Sequence, residues 1–294
     1  METNARAEDV TVRPIQFAAD DGHPLAGVLI APVQPTLAAL ITPATGYPKE
    51  FYLRFAKAWA ARGCAVLVFD CRGVGGSAPD DLKRFSMDYT DWGRLDMPAA
   101  LDALAEAAPG RRIVHVGHSA GGQFVGFMRN HERISRHAFV AVGSGYGPRH
   151  HLSHRPREVL FWWGYGPACL ATKGYIPAGG IWGGTALPRG VFTTWRRWSH
   201  QSRYFAGELD RRFGWHRFGA VTAPIRSWTF ADDPIATPAA ARDILELFPN
   251  APTELIERRP RDYRAKRLGH DGAFRAAGQG VWAEVWDWLE ADAA

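Results

Sequence analysis

The stretch Ile113-Val114-His115-Val116-Gly117-His118-Ser119-Ala120-Gly121-Gly122 limits the possible folds of this chain more than any other. A short apolar run enters G-x-S-x-G and leaves into a helical pattern, so the spacing predicts a strand, a sharp turn and a helix. A serine at the tip of such a turn has a strained backbone, and side chains two positions to either side would strike neighbouring elements. Gly117 and Gly121 remove those side chains. The hydroxyl of Ser119 is then held at the top of a sheet, where it can act as a nucleophile. In a chain with 31 glycines the motif alone is weak. The strand before it and the helix after it give it weight.

The flanking sequence supplies the sheet. The runs 37–41, 65–69, 113–116, 138–142 and 225–230 are short and continuously apolar, as expected of strands buried on both faces of a parallel sheet. Ahead of them, 10–17 and 25–30 are separated by Asp20-Asp21-Gly22 and predict a hairpin. Helical patterns at 51–62, 95–107, 120–129, 238–247 and 281–289 alternate with the strands. Gly63 ends the first of these, and Pro98 leaves the start of the second open. Strand–helix alternation of this kind makes the fold class α/β. From 146 to 216 the rhythm breaks, and Trp, Gly, Pro, Arg and His dominate. The expected organisation is a core first part (1–145), a cap or lid insertion (146–216) and a core second part (217–294). An insertion of this kind would lie above the strand ends, where ligands bind in open α/β sheets.

Composition excludes other classes. Apolar residues make up 46% and charged residues 22%, which fits a packed globular chain. The net charge of +5 comes from 35 basic and 30 acidic residues that are largely interspersed, so no nucleic-acid partner is expected. Cys64, Cys71 and Cys169 are odd in number and lack metal-ligand spacing, which predicts neither a disulfide framework nor a zinc site. The first ten residues lack the apolar stretch of a secretory signal. The most apolar region, 159–182, is interrupted by Gly164, Gly166, Pro167, Lys173, Gly174 and Pro177, so no integral membrane segment is expected. These features together predict a cytoplasmic protein, and nothing in the sequence speaks to its oligomeric state.

Two further loops carry a resemblance. Ala44-Thr45-Gly46-Tyr47-Pro48 follows the third predicted strand, and Phe69-Asp70-Cys71-Arg72-Gly73-Val74-Gly75-Gly76-Ser77 follows the fourth. With the serine turn, they make the chain resemble the α/β-hydrolase superfamily, near the serine aminopeptidase and monoacylglycerol lipase types. The resemblance runs from about 22 to 289, the insertion excepted. It implies a mostly parallel central sheet flanked by helices, with a cap between core strands. It also implies a triad in the chain order Ser, acid, His.

Thr229-Phe230-Ala231-Asp232-Asp233-Pro234 is similar to the family's acid loop, and register favours Asp233 over Asp232. Leu268-Gly269-His270-Asp271-Gly272 resembles its histidine loop, which makes His270 the expected base and Asp271 a loop-shaping residue. His131, His137, His200 and His216 are less well placed. Oxyanion donors are expected from the backbone N–H of Ala120 and from the loop after the third strand, by register Tyr47, with Gly46 as the alternative. Thr45-Gly46 departs from the family's His-Gly-x, which leaves the geometry of that loop open.

Other signals are weaker. His118 reads as a packing residue rather than the base, and is grouped with Gly46, Trp162 and Trp163 as expected substrate contacts. The insertion's Phe161, Trp162, Trp163, Tyr165, Trp182, Phe192, Trp195 and Trp198 suggest a lid that walls an apolar acyl pocket. His150 and His154 have metal-like spacing, but Pro148 and Pro156 flank them and no partner carboxylate is evident. Gly143 to Gly147 misses dinucleotide spacing. The basic run 258–267 reads first as a solvated loop and second as a means of steering an anionic substrate.

The leading expectation is therefore a serine hydrolase acting on a small-molecule carboxylic ester or thioester with an apolar acyl group, needing neither cofactor nor metal. An aminopeptidase or amidase with the same triad is the second reading; it would need cap carboxylates for a substrate amine, with Glu158, Glu208 and Asp210 available. A non-catalytic ligand-binding protein of the same fold is the third.

Overall fold

The computed structural model describes residues 10–291. The first nine residues, most of the stretch read above as lacking a secretory signal, lie outside them. Eight strands form one sheet: β1 (Val10–Ala18), β2 (Pro24–Pro32), β3 (Leu37–Thr42), β4 (Cys64–Phe69), β5 (Ile113–His118), β6 (Ile134–Val140), β7 (Ile225–Phe230) and β8 (Thr253–Arg258). Their order is β1-β2-β4-β3-β5-β6-β7-β8. β1 pairs antiparallel with β2, and β2 antiparallel with β4; every later pairing is parallel. This is the α/β-hydrolase fold.

The continuously apolar strands are buried on both faces. In β4, Val66 and Val68 join the cluster formed with Phe55 and Trp59 of α1 (Leu53–Ala60). Alternate residues Leu67 and Phe69 face the opposite cluster, with Leu101 and Leu104 of α2 (Met97–Ala107). Pro98 falls in the first turn of α2, where its missing N–H costs nothing.

Three sequence expectations change. The pattern at 120–129 is not one helix: α3 (Ala120–Gln123) stops at Phe124, and a 3-10 turn, Val125–Phe127, follows. Two adjacent glycines weaken helix propagation there, and a Cβ on Gly126 would lie 2.2 Å from the ring of Phe218. β6 begins at Ile134, earlier than its apolar run, because Ser135, Arg136 and His137 obscure its start. β8 carries Glu254, Glu257 and Arg258 on a sheet edge, so it has no continuous apolar signal.

The segment between β6 and β7 is helical despite its prolines and glycines. It holds α4 (Arg155–Val159), α5 (Gly166–Thr172), α6 (Arg189–Ser199) and α7 (Leu209–Arg212), and a π-helical turn, Leu160–Tyr165, joins α4 to α5. Pro156 and Pro167 each occupy a first turn, the place a helix tolerates them. The remaining helices, α8 (Pro238–Leu245) and α9 (Gln279–Glu290), complete the α/β alternation. No helix among the described residues is long and apolar enough to cross a membrane.

Candidate active site

Ser119 joins β5 to α3 with φ 50° and ψ −117°. A non-glycine residue at positive φ is strained, and here the close approach of its flanks explains the strain. A Cβ on Gly121 would sit 2.2 Å from the Thr42 carbonyl oxygen, and one on Gly117 would sit 2.5 Å from the Gly122 Cα. The turn therefore packs to backbone contact. The Ser119 N–H donates to the Val140 carbonyl at 3.2 Å, and the Thr42 hydroxyl donates to the Gly121 carbonyl at 3.0 Å. His115 Nε2, 2.6 Å from the Thr42 oxygen, completes the support beneath.

Asp233 follows β7 and is fully buried. Its Oδ1 accepts the N–H groups of Ile235 (2.8 Å) and Ala236 (3.1 Å), and its Oδ2 lies 2.8 Å from His270 Nδ1. Burial alone would raise the carboxyl pKa, but the charge and hydrogen bond of His270, with the two backbone donors, bring it below the usual carboxylate range. For His270, burial works against the protonated ring; the Asp233 charge and hydrogen bond outweigh it, and the ring pKa ends above its ordinary value. The neighbouring Asp232 accepts the Leu268 N–H at 2.9 Å, so both aspartates hold the histidine loop while only Asp233 meets the imidazole.

Bonding through Nδ1 leaves His270 Nε2 without a partner among the described residues. His270 and Ser119 line one cavity of about 730 Å³, and no hydrogen bond joins them. Such contacts often close only around substrate.

The loop after β3 corrects one donor. The Tyr47 N–H is turned onto the Ala44 carbonyl at 3.2 Å, closing a turn in which Gly46 has φ +74°. Tyr47 therefore does not offer its N–H to the cavity. The N–H groups of Thr45 and Gly46 have no partner among the described residues, and both residues line the cavity with Ser119. The N–H of Ala120, first residue of α3, is likewise free of a helical partner. The Tyr47 side chain instead braces the histidine loop, its hydroxyl donating to Asp271 Oδ2 at 3.2 Å.

His118 also differs from its expected role. It is fully buried and lies outside the cavity lining, so it is not a substrate contact. Its Nε2 is 2.9 Å from the His270 carbonyl oxygen and its Nδ1 is 2.8 Å from the Tyr52 hydroxyl. A carbonyl only accepts, so Nε2 carries the proton and Nδ1 accepts from Tyr52. The same hydroxyl accepts the Ala44 N–H at 2.9 Å. Burial drives the His118 pKa down to about 3, and the ring is neutral. Tyr52 gave no sign of this role in the sequence, where it sits among the apolar positions of a helical pattern.

Of the two tryptophans expected at the substrate, Trp162 lines the cavity and Trp163 does not. Trp163 is 61% exposed, and the Arg196 guanidinium stacks 4.2 Å from its ring centroid. Successive residues of a helical turn point to different sides, which separates the pair. Phe161, Trp182 and Trp195 complete an aromatic wall, and Gln123 is a polar lining residue that sequence reasoning missed. Gly46 is clamped by the segment between β6 and β7. Its carbonyl accepts the Thr185 N–H (2.9 Å) and hydroxyl (3.1 Å), and a Cβ there would lie 2.4 Å from Trp182.

His150 and His154 do have a carboxylate partner, Glu158, one turn beyond His154. His150 Nδ1 is hydrogen-bonded to Glu158 and its Nε2 to the Ser144 carbonyl at 3.0 Å, so neither ring nitrogen is left for a metal. No group of three potential metal ligands occurs among the described residues.

Comparison with known proteins agrees with this architecture. Residues 45–174 match the family model described as serine aminopeptidase, S33. No curated protein matches the sequence. Among solved structures, a soluble variant of the monoglyceride lipase of Saccharomyces cerevisiae, in complex with a substrate analog, superposes with a TM-score of 0.65 at 14% identity, covering 95% of this chain and 96% of that one. The Pyrococcus furiosus esterase Pf2001 superposes with a TM-score of 0.62 at 13% identity, covering 99% and 95%. The α/β hydrolase GrgF of a Penicillium species gives 0.57 at 20% identity, covering 95% and 98%. Likenesses at these identities establish the fold.

Proposed function

We propose that this chain, an α/β-hydrolase by fold, is a serine hydrolase that cleaves a carboxylic ester or thioester through an acyl-enzyme on Ser119. The observation that carries the reading is the buried Asp233 bonded to His270 Nδ1, with the free face of that ring and the strained Ser119 lining one cavity.

In this mechanism Ser119 Oγ attacks the acyl carbon and its proton passes to His270 Nε2. Asp233 keeps the proton on Nδ1 and stabilises the imidazolium. The oxyanion is met by the Ala120 N–H and by an N–H of Thr45 or Gly46, each donor worth about 2.7–4 kcal/mol in a transition state of this kind. His270 then protonates the departing alkoxide or thiolate as the acyl–oxygen or acyl–sulfur bond breaks. Water, deprotonated by the same imidazole, releases the acid and restores Ser119.

Residues 146–216 act as the cap, and Phe161, Trp162, Trp182 and Trp195 receive the acyl group. Three buried cysteines, none of them bridged, fit a reducing, cytoplasmic setting. Aminopeptidase chemistry ranks second for a specific reason: an α-ammonium needs an available carboxylate, and those lining the cavity are engaged, Glu158 by His150 and Asp271 by Arg275 at 2.7 Å. Glu208 is bound by Arg197 and Arg212 and lies outside the lining, as does Asp210.

Labelling with a fluorophosphonate tests the reading. The wild-type chain should be modified stoichiometrically and Ser119→Ala should not; an unreactive wild type would favour a ligand-binding protein without turnover.

A further inference from the structure

The cavity has an ionic side as well as an aromatic one. Arg157, Glu158, Arg267, Asp271 and Arg275 all line it. Asp271 is bonded to Arg275. Glu158 is bonded to His150. Two guanidinium groups are left over. Among the described residues, neither Arg157 nor Arg267 has a carboxylate within ion-pair distance.

Both guanidinium groups border the same cavity. Arg157, on α4, is anchored by one nitrogen: its Nη2 donates to the Ile181 carbonyl at 2.8 Å, with the Trp182 carbonyl at 3.4 Å, which leaves most of its donors unused. Arg267 belongs to the histidine loop, three residues before His270, and makes no hydrogen bond among the described residues. One cation thus comes from the segment between β6 and β7 and the other from the loop that carries His270. A planar guanidinium matches carboxylate and phosphate oxygens in a fork, and both of these side chains are solvent-exposed, so salt should screen their attraction for an anion.

We infer that the ester taken by this site carries an anionic group, a carboxylate or a phosphate, held between Arg157 and Arg267 while the uncharged acyl portion lies against the aromatic wall. The inference rests on the hydrolase reading above. It names a chemical class that the fold does not dictate.

The test uses two substrate pairs that differ in charge: p-nitrophenyl butyrate against mono-p-nitrophenyl glutarate, and glycerol monobutyrate against its 3-phosphate. In at least one pair the anionic member should have the higher kcat/KM, by about tenfold, which corresponds to about 1.4 kcal/mol. That ratio should fall toward one in the double variant Arg157→Gln/Arg267→Gln, and also as sodium chloride is raised. The pair that responds distinguishes carboxylate from phosphate. Equal rates within both pairs, or a ratio unmoved by the double variant, would overturn the inference.

A binding measurement keeps it separable from the hydrolase reading. Calorimetry on Ser119→Ala should show monomethyl glutarate or glycerol 3-phosphate binding more tightly than dimethyl glutarate or glycerol, and the added arginine substitutions should abolish the difference. If labelling and turnover both fail while that charge preference persists, the hydrolase reading falls and the anion site stands. No charge preference in this assay removes the anion site whatever the labelling result.

Discussion

His118 Nε2 lies 2.9 Å from the carbonyl oxygen of His270, so the residue preceding the serine in sequence holds the backbone of the imidazole that faces it. Through its other nitrogen His118 reaches Tyr52, and through the Tyr52 hydroxyl it reaches the N–H of Ala44. The serine turn, the histidine loop and the loop after β3 are thus tied by one buried, uncharged ring. The joints at Tyr52 are fully buried and the one at the His270 carbonyl is partly so, and a partner lost from a buried hydrogen bond leaves a costly unpaired atom.

His118→Leu should therefore lose about 1–3 kcal/mol of stability, the usual cost of leaving a buried polar group unpaired, and should lower kcat more than KM. Tyr52→Phe should do the same to a smaller degree. Steady-state kinetics beside urea denaturation checks this; a variant with wild-type kcat would show that the tether is dispensable.

The activity of the wild-type chain should fall on the acid side with an apparent pKa above the ordinary histidine value, because the His270 pKa is raised by Asp233 against the effect of burial. Asp233→Asn removes the charge that raises it. The remaining activity, reduced by orders of magnitude, should have its acid limb at lower pH. A pH–kcat/KM profile of both proteins is decisive, and an unshifted limb would assign the titration to another group.

Stability should decline as pH falls below the ordinary histidine range. Burial drives His115 and His118 down to about 3 and lowers His137 well below its usual value. Between pH 6.5 and about 3 the unfolded chain binds protons that the folded chain refuses, so unfolding becomes easier with each step downward. His270 acts in the opposite sense: its raised pKa stabilises the fold below the unfolded value, and that contribution is lost as pH rises through the folded one. Burial also raises the Asp96 carboxyl to about 7, which acts in the same sense as His270, while His131 and His154 are lowered like the three buried rings; the five lowered histidines outweigh these two. Urea midpoints measured from pH 7.5 to 5 should drop, and a flat series would contradict neutral buried imidazoles.

Trp162→Ala should alter the preference for acyl length, since Trp162 lines the cavity, whereas Trp163→Ala should leave it in place, since Trp163 faces outward beneath Arg196. Hydrolysis of p-nitrophenyl esters graded from acetate to decanoate gives the comparison. An unchanged preference in both variants would place both rings outside the acyl site.

Gly46→Ala should reduce activity at least about tenfold, because the residue sits at positive φ and its new Cβ would meet Trp182 at 2.4 Å. The turn carrying Thr45 and Gly46 must then shift. Fluorophosphonate labelling rates would report the damage apart from substrate binding, and an unaltered rate would show that this turn does not supply the donor.

The sheet was largely readable because strands buried on both faces have no alternative to continuous apolar runs. β8 escaped notice for the opposite reason: an edge strand keeps its charges in water and looks like a loop. The bond between Asp233 and His270 follows from two short loops that each have a recognisable local pattern. The positions of Tyr47, His118 and Trp163 were not readable, because each depends on which way a residue points after the chain has turned. Helices α4 and α5 were hidden by Pro156 and Pro167, which lie in first turns, and by glycines such as Gly166, where a Cβ would strike Phe192 at 2.1 Å.

The grip of Thr185 on the Gly46 carbonyl fastens the segment between β6 and β7 to the turn that follows β3. On the function proposed above, a lineage that remodels this segment to admit a different molecule disturbs the polarising turn in the same stroke. Altered selectivity and impaired turnover would arrive together, and a second substitution near Gly46 would be needed to part them.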